Sequence, residues 1–263
     1  MPTLTSSIEY LQGLPLYDVE KPYWCMLTPR EGFDPDKQRL DNLEFETRHG
    51  ITITDIREAD EKPTLAYKTE TEEMLRSSMG ASFVRTYEFR ARKNIPISRP
   101  KMNIADPLLY EGPARGAHND VTFDSGPVII NRYLSAEEKA MYLRPGFRFQ
   151  IINTWRSLVE ELEDRPLALC DSRTIEANDL IAADRIIPDR VGEVYYLKYN
   201  KNHKWYWLSK QNPDELFVFV MYDTVSGDNA RFCPHVSISN TLAPANAPYR
   251  QSVETRSIVV RKI

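Results

Sequence analysis

The chain has 263 residues, a formal net charge of −4 and a sequence pI near 5.7. This acidic balance argues against nucleic-acid binding, for which a basic face is expected, and no apolar run approaches the roughly 20 residues that a membrane-spanning helix needs. With 41% hydrophobic and 11% aromatic residues, the chain can bury a sizeable core. We therefore expect a globular protein that binds neither nucleic acid nor membrane.

Cysteine usage points to a reducing compartment. Cys25, Cys170 and Cys233 are far apart in the sequence and odd in number, which favours free thiols over a disulfide framework and predicts a cytoplasmic protein. No CxxC pair is present, so a zinc–cysteine site is not expected. Residues 1–10 lack the basic segment and following apolar stretch of a signal peptide.

The first 80 residues are predicted to decorate a core formed by residues 81–263, the whole chain being one domain. Residues 1–40 are rich in proline and aromatic residues, which predicts irregular or short-strand structure lying as a strap across the core. Period-two alternation predicts a strand over 47–58, and an acidic, then apolar-periodic segment predicts a helix over 69–79. His49, just before the alternating residues, is interpreted as a turn residue.

The core is predicted to be a series of short strands. Residues 82–92 alternate, with Phe83, Arg85, Tyr87 and Phe89 on one face, and three prolines mark 94–107 as a linker. Residues 124–127 predict a turn, and Ser135 with Glu138 forms the capping box of one helix. Further strands are predicted at 147–156, 166–171, 216–222, 234–239 and 252–261, with an aromatic stretch at 194–208. This pattern predicts a mainly β fold with a few helices and a double-stranded β-helix, the jelly-roll core of cupin-like proteins.

One short motif carries metal chemistry. In His118-Asn119-Asp120, an imidazole and a carboxylate stand two residues apart, so in a strand they point to the same face. Such a pair, completed by one distant histidine, is the ligand set of the facial triad that binds Fe(II) in non-heme oxygenases. On its own the His-X-Asp pair is weak evidence for a metal site, because it recurs by chance and also suits a polar surface turn.

Two histidines, His203 and His235, are candidates for the third metal ligand. His235 begins a predicted strand, where a side chain can project into the barrel, so we expect it to join His118 and Asp120 in the metal and catalytic site. His203 follows Asn200-Lys201-Asn202, which resembles a hairpin turn, and a packing or hydrogen-bonding role is expected there.

An arginine after the last histidine suits the far carboxylate of 2-oxoglutarate, because a guanidinium binds a carboxylate in bidentate fashion. Arg250 and Ser252 follow His235 and share one strand face with Arg256. These three residues are the expected co-substrate-binding group. The choice between Arg250 and Arg256 as the main anchor stays open.

Beyond about residue 80 the chain resembles the fungal hydroxylase/desaturase family of AsaB-like and CmcJ-like proteins, which includes the gibberellin desaturases. The resemblance rests on HND (118–120), NTWR (153–156), PLALCDSR (166–173), YNKNHKWY (199–206), YDT (222–224), PH (234–235) and RQSVETR (250–256). It implies a double-stranded β-helix and an enzyme that uses Fe(II), 2-oxoglutarate and O2. It further implies hydroxylation, desaturation or ring formation on a small molecule of secondary metabolism.

Several alternatives stay open. The same fold can carry a metal-binding cupin-like protein, or an isomerase or dioxygenase that needs no 2-oxoglutarate. Trp205 and Trp207 belong either to the barrel core or to a substrate wall, and Arg156 is either a substrate anchor or a structural arginine. The sequence leaves the substrate and the oligomeric state open, with a homodimer as one arrangement.

Overall fold

The computed structural model describes residues 3–26, 34, 38–55, 67–94, 110–114, 116–187, 190–227 and 230–263. The α-helices in these residues are α1 (Tyr67–Met79), α2 (Ser125–Tyr133) and α3 (Ala136–Tyr142), and short 3-10 helices lie at Pro15–Asp18, Ser172–Thr174 and Ala177–Asp179. The strands are β1 (Thr3–Leu11), β2 (Tyr23–Cys25), β3 (Phe45–Asp55), β4 (Phe83–Lys93), β5 (Tyr110–Glu111), β6 (His118–Asn119), β7 (Phe147–Ser157), β8 (Leu167–Cys170), β9 (Leu180–Ile187), β10 (Arg190–Leu197), β11 (Trp205–Trp207), β12 (Leu216–Asp223), β13 (His235–Ser237) and β14 (Gln251–Lys262).

The strands form two sheets that face each other. One has the order β1-β3-β11-β8-β13-β6-β10-β9-β2, and the other has the order β12-β7-β14-β4-β5. Their inner faces share one apolar core, to which Leu167 of the larger sheet and Ile151, Phe219 and Ile258 of the smaller sheet contribute. Two packed, largely antiparallel sheets are the architecture of a jelly roll, as the strand pattern predicts.

Further apolar layers cover the outer faces. Helix α1 places Leu75 against Val84, Ile152 and Val259 on the outside of the smaller sheet. Ala117 and Val236 belong to a separate cluster on the other side of the larger sheet. Because side chains alternate along a strand, the neighbours of these two residues point toward the inner face.

A bulge in β4 changes which of its residues face inward. Arg256 of β14 pairs with Glu88, whereas the next residue, Ser257, pairs with Thr86, so Tyr87 is the extra residue. Before the bulge Phe83 and Tyr87 pack against the inner core. After it Phe89 lies on the α1 side, with its ring 5.2 Å from that of Tyr67. Bulges re-aim side chains in this way and are common beside active sites.

Most of the predicted elements are confirmed, including strands β3, β4, β7, β8, β12, β13 and β14, helix α1 and the capping box of α3. The prediction of irregular or short-strand structure over residues 1–40 is wrong for β1, a strand of nine residues, and fits β2, a strand of three. Ser6 breaks the apolar alternation of Leu4, Ile8 and Tyr10 in the sequence, yet it is buried and its hydroxyl donates to the carbonyl of Ser239.

Two further predictions need correction. Residues 124–127 were expected to form a turn, but α2 begins at Ser125, so the described residues of the second half contain two α-helices rather than one. Pro127 is tolerated because the first helical turn needs no N–H donor from it. Gly126 is required by close packing, since a Cβ there would lie 2.5 Å from the ring of Tyr222. Beyond Asn94, the predicted linker lies outside the described residues.

Candidate metal and co-substrate site

Strand pairing brings two histidines together on the inner face of the larger sheet. His118 of β6 pairs directly with His235 of β13, and their ring centroids are 4.5 Å apart. Asp120 follows β6 immediately. The ligand atoms of the three residues all lie within 4.8 Å of one another. No other group of three or more His, Cys, Asp or Glu side chains converges in this way within the described part of the chain.

The backbone fixes the orientation of both rings. His118 Nδ1 lies 3.0 Å from the carbonyl oxygen of Gly116, and His235 Nδ1 lies 3.3 Å from that of Cys233. When each protonated Nδ1 donates to its carbonyl, the Nε2 lone pair is left for a metal. Gly116 has φ +70° and a Cβ there would lie 2.4 Å from the Phe45 ring, so the turn into β6 requires glycine.

The electrostatics of the three residues suit a divalent cation. Burial, reinforced by the charge of His235, lowers the pKa of His118 to about 4. Burial would raise the pKa of Asp120, but the charge of Arg256, together with the nearby imidazole of His235, holds that pKa well below its usual range. The site therefore offers a neutral imidazole and a carboxylate at neutral pH, the forms that bind metals.

An unpartnered oxygen tests whether these residues fit a metal. Asp120 Oδ2 is buried and accepts no hydrogen bond from the described residues, and it lies 3.5 Å from His235 Nε2. A buried carboxylate oxygen without a donor is costly, and a metal ion would satisfy it. Two imidazole nitrogens and one carboxylate oxygen are the donor set of non-heme Fe(II) sites, so the residues present fit that ion.

Arg250 is a buried cation beside this cluster. Its side chain is 2% exposed, Nε donates to Ser252 Oγ at 3.1 Å, and Nη1 donates to the carbonyl of Arg165 at 3.0 Å. It forms no ion pair with the described residues. Burial, with a further effect from the charge of Arg92, lowers the pKa of Arg250 to about 9. A buried guanidinium in this state needs an anion.

One narrow cavity joins Arg250 to the metal cluster. It is lined by His118, His235, Leu167, Arg92, Arg250 and Glu254. The cavity has a volume of about 10 Å³, so an anionic ligand that widened it would contact both the histidines and the guanidinium.

Arg256 contacts acidic side chains instead of lining that cavity. Its Nη2 donates to Asp120 Oδ1 at 2.9 Å and to Glu254 Oε1 at 3.1 Å, and its Nη1 donates to Glu88 Oε2 at 2.6 Å. Sequence reasoning missed Glu88 and Glu254. A signal was present, because Glu88, Arg90 and Arg92 alternate with period two, but the bulge at Tyr87 reversed the face that we assigned to them.

A larger cavity of about 310 Å³ includes Asp120 in its wall. It lies between α2 and the β9–β10 hairpin, and Asp120 and Arg256 form part of its wall. Tyr87, Ile129, Tyr133, Val128, Val191 and Val194 supply apolar surface. A volume near 300 Å³ is at the small end for ligand-binding pockets.

The remaining sequence candidates lie elsewhere. Trp205 and Trp207 are buried in the outer cluster with Ala117 and Val236, because they pair with Cys170 and Ala168. It is Tyr206 that shares the face of Leu169 and His235. The two tryptophans are therefore core residues and not part of a wall beside the metal ligands.

Arg156 and the other two histidines are also away from the metal cluster. Arg156 lies on the α1 side of the smaller sheet, with its guanidinium 5.5 Å from the Tyr67 ring centroid. It therefore does not reach the larger cavity. His203 Nε2 lies 3.1 Å from Asp179 Oδ2, next to the turn in which its backbone N–H donates to the Asn200 carbonyl. His49 is exposed and contacts Ser7.

Residues 40–260 match a family model described as an oxidoreductase/YMDC permease-like domain. The hydroxylase/desaturase efuI of Hormonema carpetanum is 30% identical over 227 residues, which cover 79% of this chain and 74% of that protein. The chain belongs to the fungal hydroxylase/desaturase family. The alpha-ketoglutarate-dependent dioxygenase tstK of Talaromyces stipitatus is 27% identical to this family member over 239 residues, with 86% of this chain and 82% of that protein covered.

A solved structure confirms the fold. A variant of the iron- and alpha-ketoglutarate-dependent endoperoxidase NvfI superposes with a TM-score of 0.80 at 21% identity, over 100% of this chain and 99% of that chain. The mainly β jelly-roll prediction is therefore correct.

Proposed function

We propose that this protein is an Fe(II)- and 2-oxoglutarate-dependent oxygenase that hydroxylates or desaturates a small molecule. The observation that carries the proposal is the narrow cavity lined by His118, His235 and the buried guanidinium of Arg250, which forms no ion pair with the described residues. The names of the relatives support it, since efuI is a hydroxylase/desaturase and tstK an alpha-ketoglutarate-dependent dioxygenase. Secondary metabolism is the proposed setting.

In this proposal His118, Asp120 and His235 hold the ion. The carbonyls of Gly116 and Cys233 keep the two imidazoles in the tautomer that presents Nε2. Arg256 neutralises part of the Asp120 charge while it leaves Oδ2 open. When bound, the iron with 2-oxoglutarate and O2 supplies the oxidising chemistry that removes hydrogen from an unactivated C–H bond, with succinate and CO2 as co-products.

Arg250 and Ser252 bind the far carboxylate of 2-oxoglutarate. The guanidinium is held by Ser252 Oγ and the Arg165 carbonyl, and its face lies 5.0 Å from the Trp155 ring centroid. A fixed fork binds a carboxylate with less loss of side-chain entropy than a flexible amine does. Arg256 is already engaged by three carboxylates, so we assign the anchor to Arg250.

The 310 Å³ cavity is the proposed substrate site, because Asp120 and Arg256 line it whereas Arg250 lines the narrow cavity instead. Its wall combines apolar side chains with charged ones, among them Arg132, Arg190 and Glu193, so it suits a small molecule that carries both apolar and polar groups. The rings of Tyr87 and Tyr133, which stack 4.5 Å apart, form the aromatic part of that wall. Whether the product is an alcohol, an alkene or a ring depends on how that carbon is placed.

The most direct test of activity needs no substrate. Purified protein with Fe(II), 2-oxoglutarate and O2 should form succinate slowly, and His235→Ala should form none. The rival functions on this fold, a metal-binding protein or an enzyme without 2-oxoglutarate, predict no succinate from either protein. Mass spectrometry of products from candidate pathway intermediates would then identify the substrate.

We also infer that the whole chain forms one oxygenase domain, since β1 and β3 join the sheet that carries β6 and β13. The three free cysteines support the proposed cytoplasmic location. No helix among the described residues is long and apolar enough to cross a membrane. A homodimer stays a prediction, which light scattering after size exclusion would measure.

A further inference from the structure

We propose that Arg256 is a positioning residue that makes Asp120 a one-oxygen metal ligand, and that Glu88 and Glu254 hold Arg256 in place for this task. The inference rests on the proposed function, because it assumes that His118, Asp120 and His235 bind the metal.

The two oxygens of Asp120 have different surroundings. Oδ1 accepts a hydrogen bond from Arg256 Nη2 at 2.9 Å. Oδ2 accepts none from the described residues and lies 3.5 Å from His235 Nε2, whereas Oδ1 lies 3.9 Å from His118 Nε2. Because the guanidinium occupies Oδ1, the carboxylate presents Oδ2 to a metal shared with the histidines. A carboxylate that binds through one oxygen leaves an additional coordination position compared with one that chelates.

Hydrogen bonds to two glutamates fix the orientation of the Arg256 guanidinium toward Asp120. Nη1 donates to Glu88 Oε2 at 2.6 Å, and Nη2 is shared between Asp120 and Glu254 Oε1, the latter at 3.1 Å. The side chain is 4% exposed. A planar guanidinium can contact three carboxylates at once, whereas the single ammonium of lysine cannot reproduce that geometry.

The two glutamates are in turn held by arginines. Arg90 donates to Glu88 through Nε at 2.8 Å and Nη2 at 2.6 Å, and Arg92 Nη2 donates to Glu254 Oε1 at 3.0 Å. Three cations, Arg90, Arg92 and Arg256, thus face three anions, Glu88, Glu254 and Asp120. This balance makes burial of the set tolerable.

The strand geometry explains how the set is assembled. Glu254 and Arg256 lie two residues apart on β14, and the bulge at Tyr87 turns Glu88, Arg90 and Arg92 of β4 to the same inner face. Without that bulge, β4 would point Phe89 inward and Glu88 outward. The bulge therefore places Glu88 where it can hold Arg256 against Asp120.

Cobalt(II) binding tests the proposal without any catalytic turnover. Wild type, Arg256→Lys, Arg256→Met and Glu88→Gln are titrated with Co(II) in the absence of 2-oxoglutarate, while visible absorption and melting temperature are recorded. Partners of metal ligands typically contribute 10- to 100-fold in affinity. We expect a loss of about that size in both Arg256 variants, with an altered cobalt spectrum, and a smaller change of the same kind in Glu88→Gln.

The matched control is Arg148→Lys. Arg148 forms a two-point ion pair with the fully buried Asp223. Lysine cannot reproduce that pair, so the variant should have a lower melting temperature but unchanged cobalt affinity and spectrum. The inference would be overturned if Arg256→Lys folds and binds Co(II) with the affinity and visible spectrum of wild type. If the Arg256 variants do not fold, an unchanged Glu88→Gln protein would overturn it. Failure of wild type to bind Co(II) would instead refute the proposed function.

Discussion

His118 and His235 lie directly opposite each other on antiparallel strands, with ring centroids 4.5 Å apart. This pairing makes His235, rather than His203, the expected third metal ligand. Replacement of His118, Asp120 or His235 by alanine should abolish succinate formation and strongly weaken Fe(II) binding. His203→Ala should retain the metal and lose about 1–3 kcal/mol of stability, since it leaves Asp179 with fewer partners. Iron content and melting temperature measure both effects. Loss of iron from His203→Ala with retention in His235→Ala would reverse the assignment.

Arg250→Lys keeps a positive charge but removes the fork. We expect the concentration of 2-oxoglutarate needed for half-maximal succinate formation to rise roughly 10- to 100-fold, because hydrogen bonds between charged groups contribute about 1.5–3 kcal/mol. Fe(II) affinity should change little. Arg256→Lys is the comparison, with the larger effect on the metal and the smaller one on 2-oxoglutarate. An unchanged requirement in Arg250→Lys would refute the anchor assignment.

Trp205→Ala and Trp207→Ala should each destabilise the protein by about 3–5 kcal/mol, the usual cost of truncating a buried large aromatic residue. Trp205 also loses the hydrogen bond from Nε1 to Tyr10 Oη at 3.2 Å. Melting temperature, succinate formation and product formation should decline together. Folded variants that lose product formation alone would support the substrate-wall hypothesis instead.

A bulky residue at the rim of the larger cavity should separate substrate oxidation from 2-oxoglutarate turnover. Val128 lies on α2 and lines this cavity, with 54% of its surface exposed. Val128→Trp should reduce product formation strongly and leave substrate-free succinate formation intact. Met141→Trp on α3, at a position 53% exposed and outside the cavity lining, is the matched control. Equal product formation by the two variants would argue against this cavity as the substrate site.

The metal-free protein should lose stability as the pH falls toward 4. Burial lowers the pKa of His118 from 6.5 to about 4, so between those values the unfolded chain binds a proton that the folded chain excludes. Stability therefore rises with pH across this window, by on the order of 3 kcal/mol from this residue. His118→Gln should flatten the slope in part, because burial also lowers the pKa of His203. Urea unfolding at several pH values, in the presence of a chelator, measures how the free energy of unfolding depends on pH. Equal slopes for wild type and His118→Gln would contradict the lowered pKa of His118.

The sequence contains enough to predict the jelly roll and to place three ligands, because His-X-Asp spacing and a strand-start histidine depend only on local strand geometry. It does not reveal the partners of Asp120. The bulge at Tyr87 depends on how β4 pairs with β14, and the period-two spacing of Glu88, Arg90 and Arg92 does not by itself show which face of the strand points inward.

The same limit applies to the tryptophans and to α2. Which of Trp205, Tyr206 and Trp207 face the metal follows from their pairing with β8, and a one-residue change of register would reverse it. The start of α2 is hidden because Gly126 and Pro127 are typical turn residues. Only the close approach to Tyr222 explains the glycine.

The central claim is that one site binds Fe(II) and 2-oxoglutarate together, and anaerobic titration tests it most directly. Fe(II) is added to the protein first, followed by 2-oxoglutarate, while visible absorption is recorded. We predict a weak charge-transfer band that needs both additions, that is absent from His235→Ala, and that requires more 2-oxoglutarate in Arg250→Lys. Iron bound to wild type with no band at saturating 2-oxoglutarate would contradict the account.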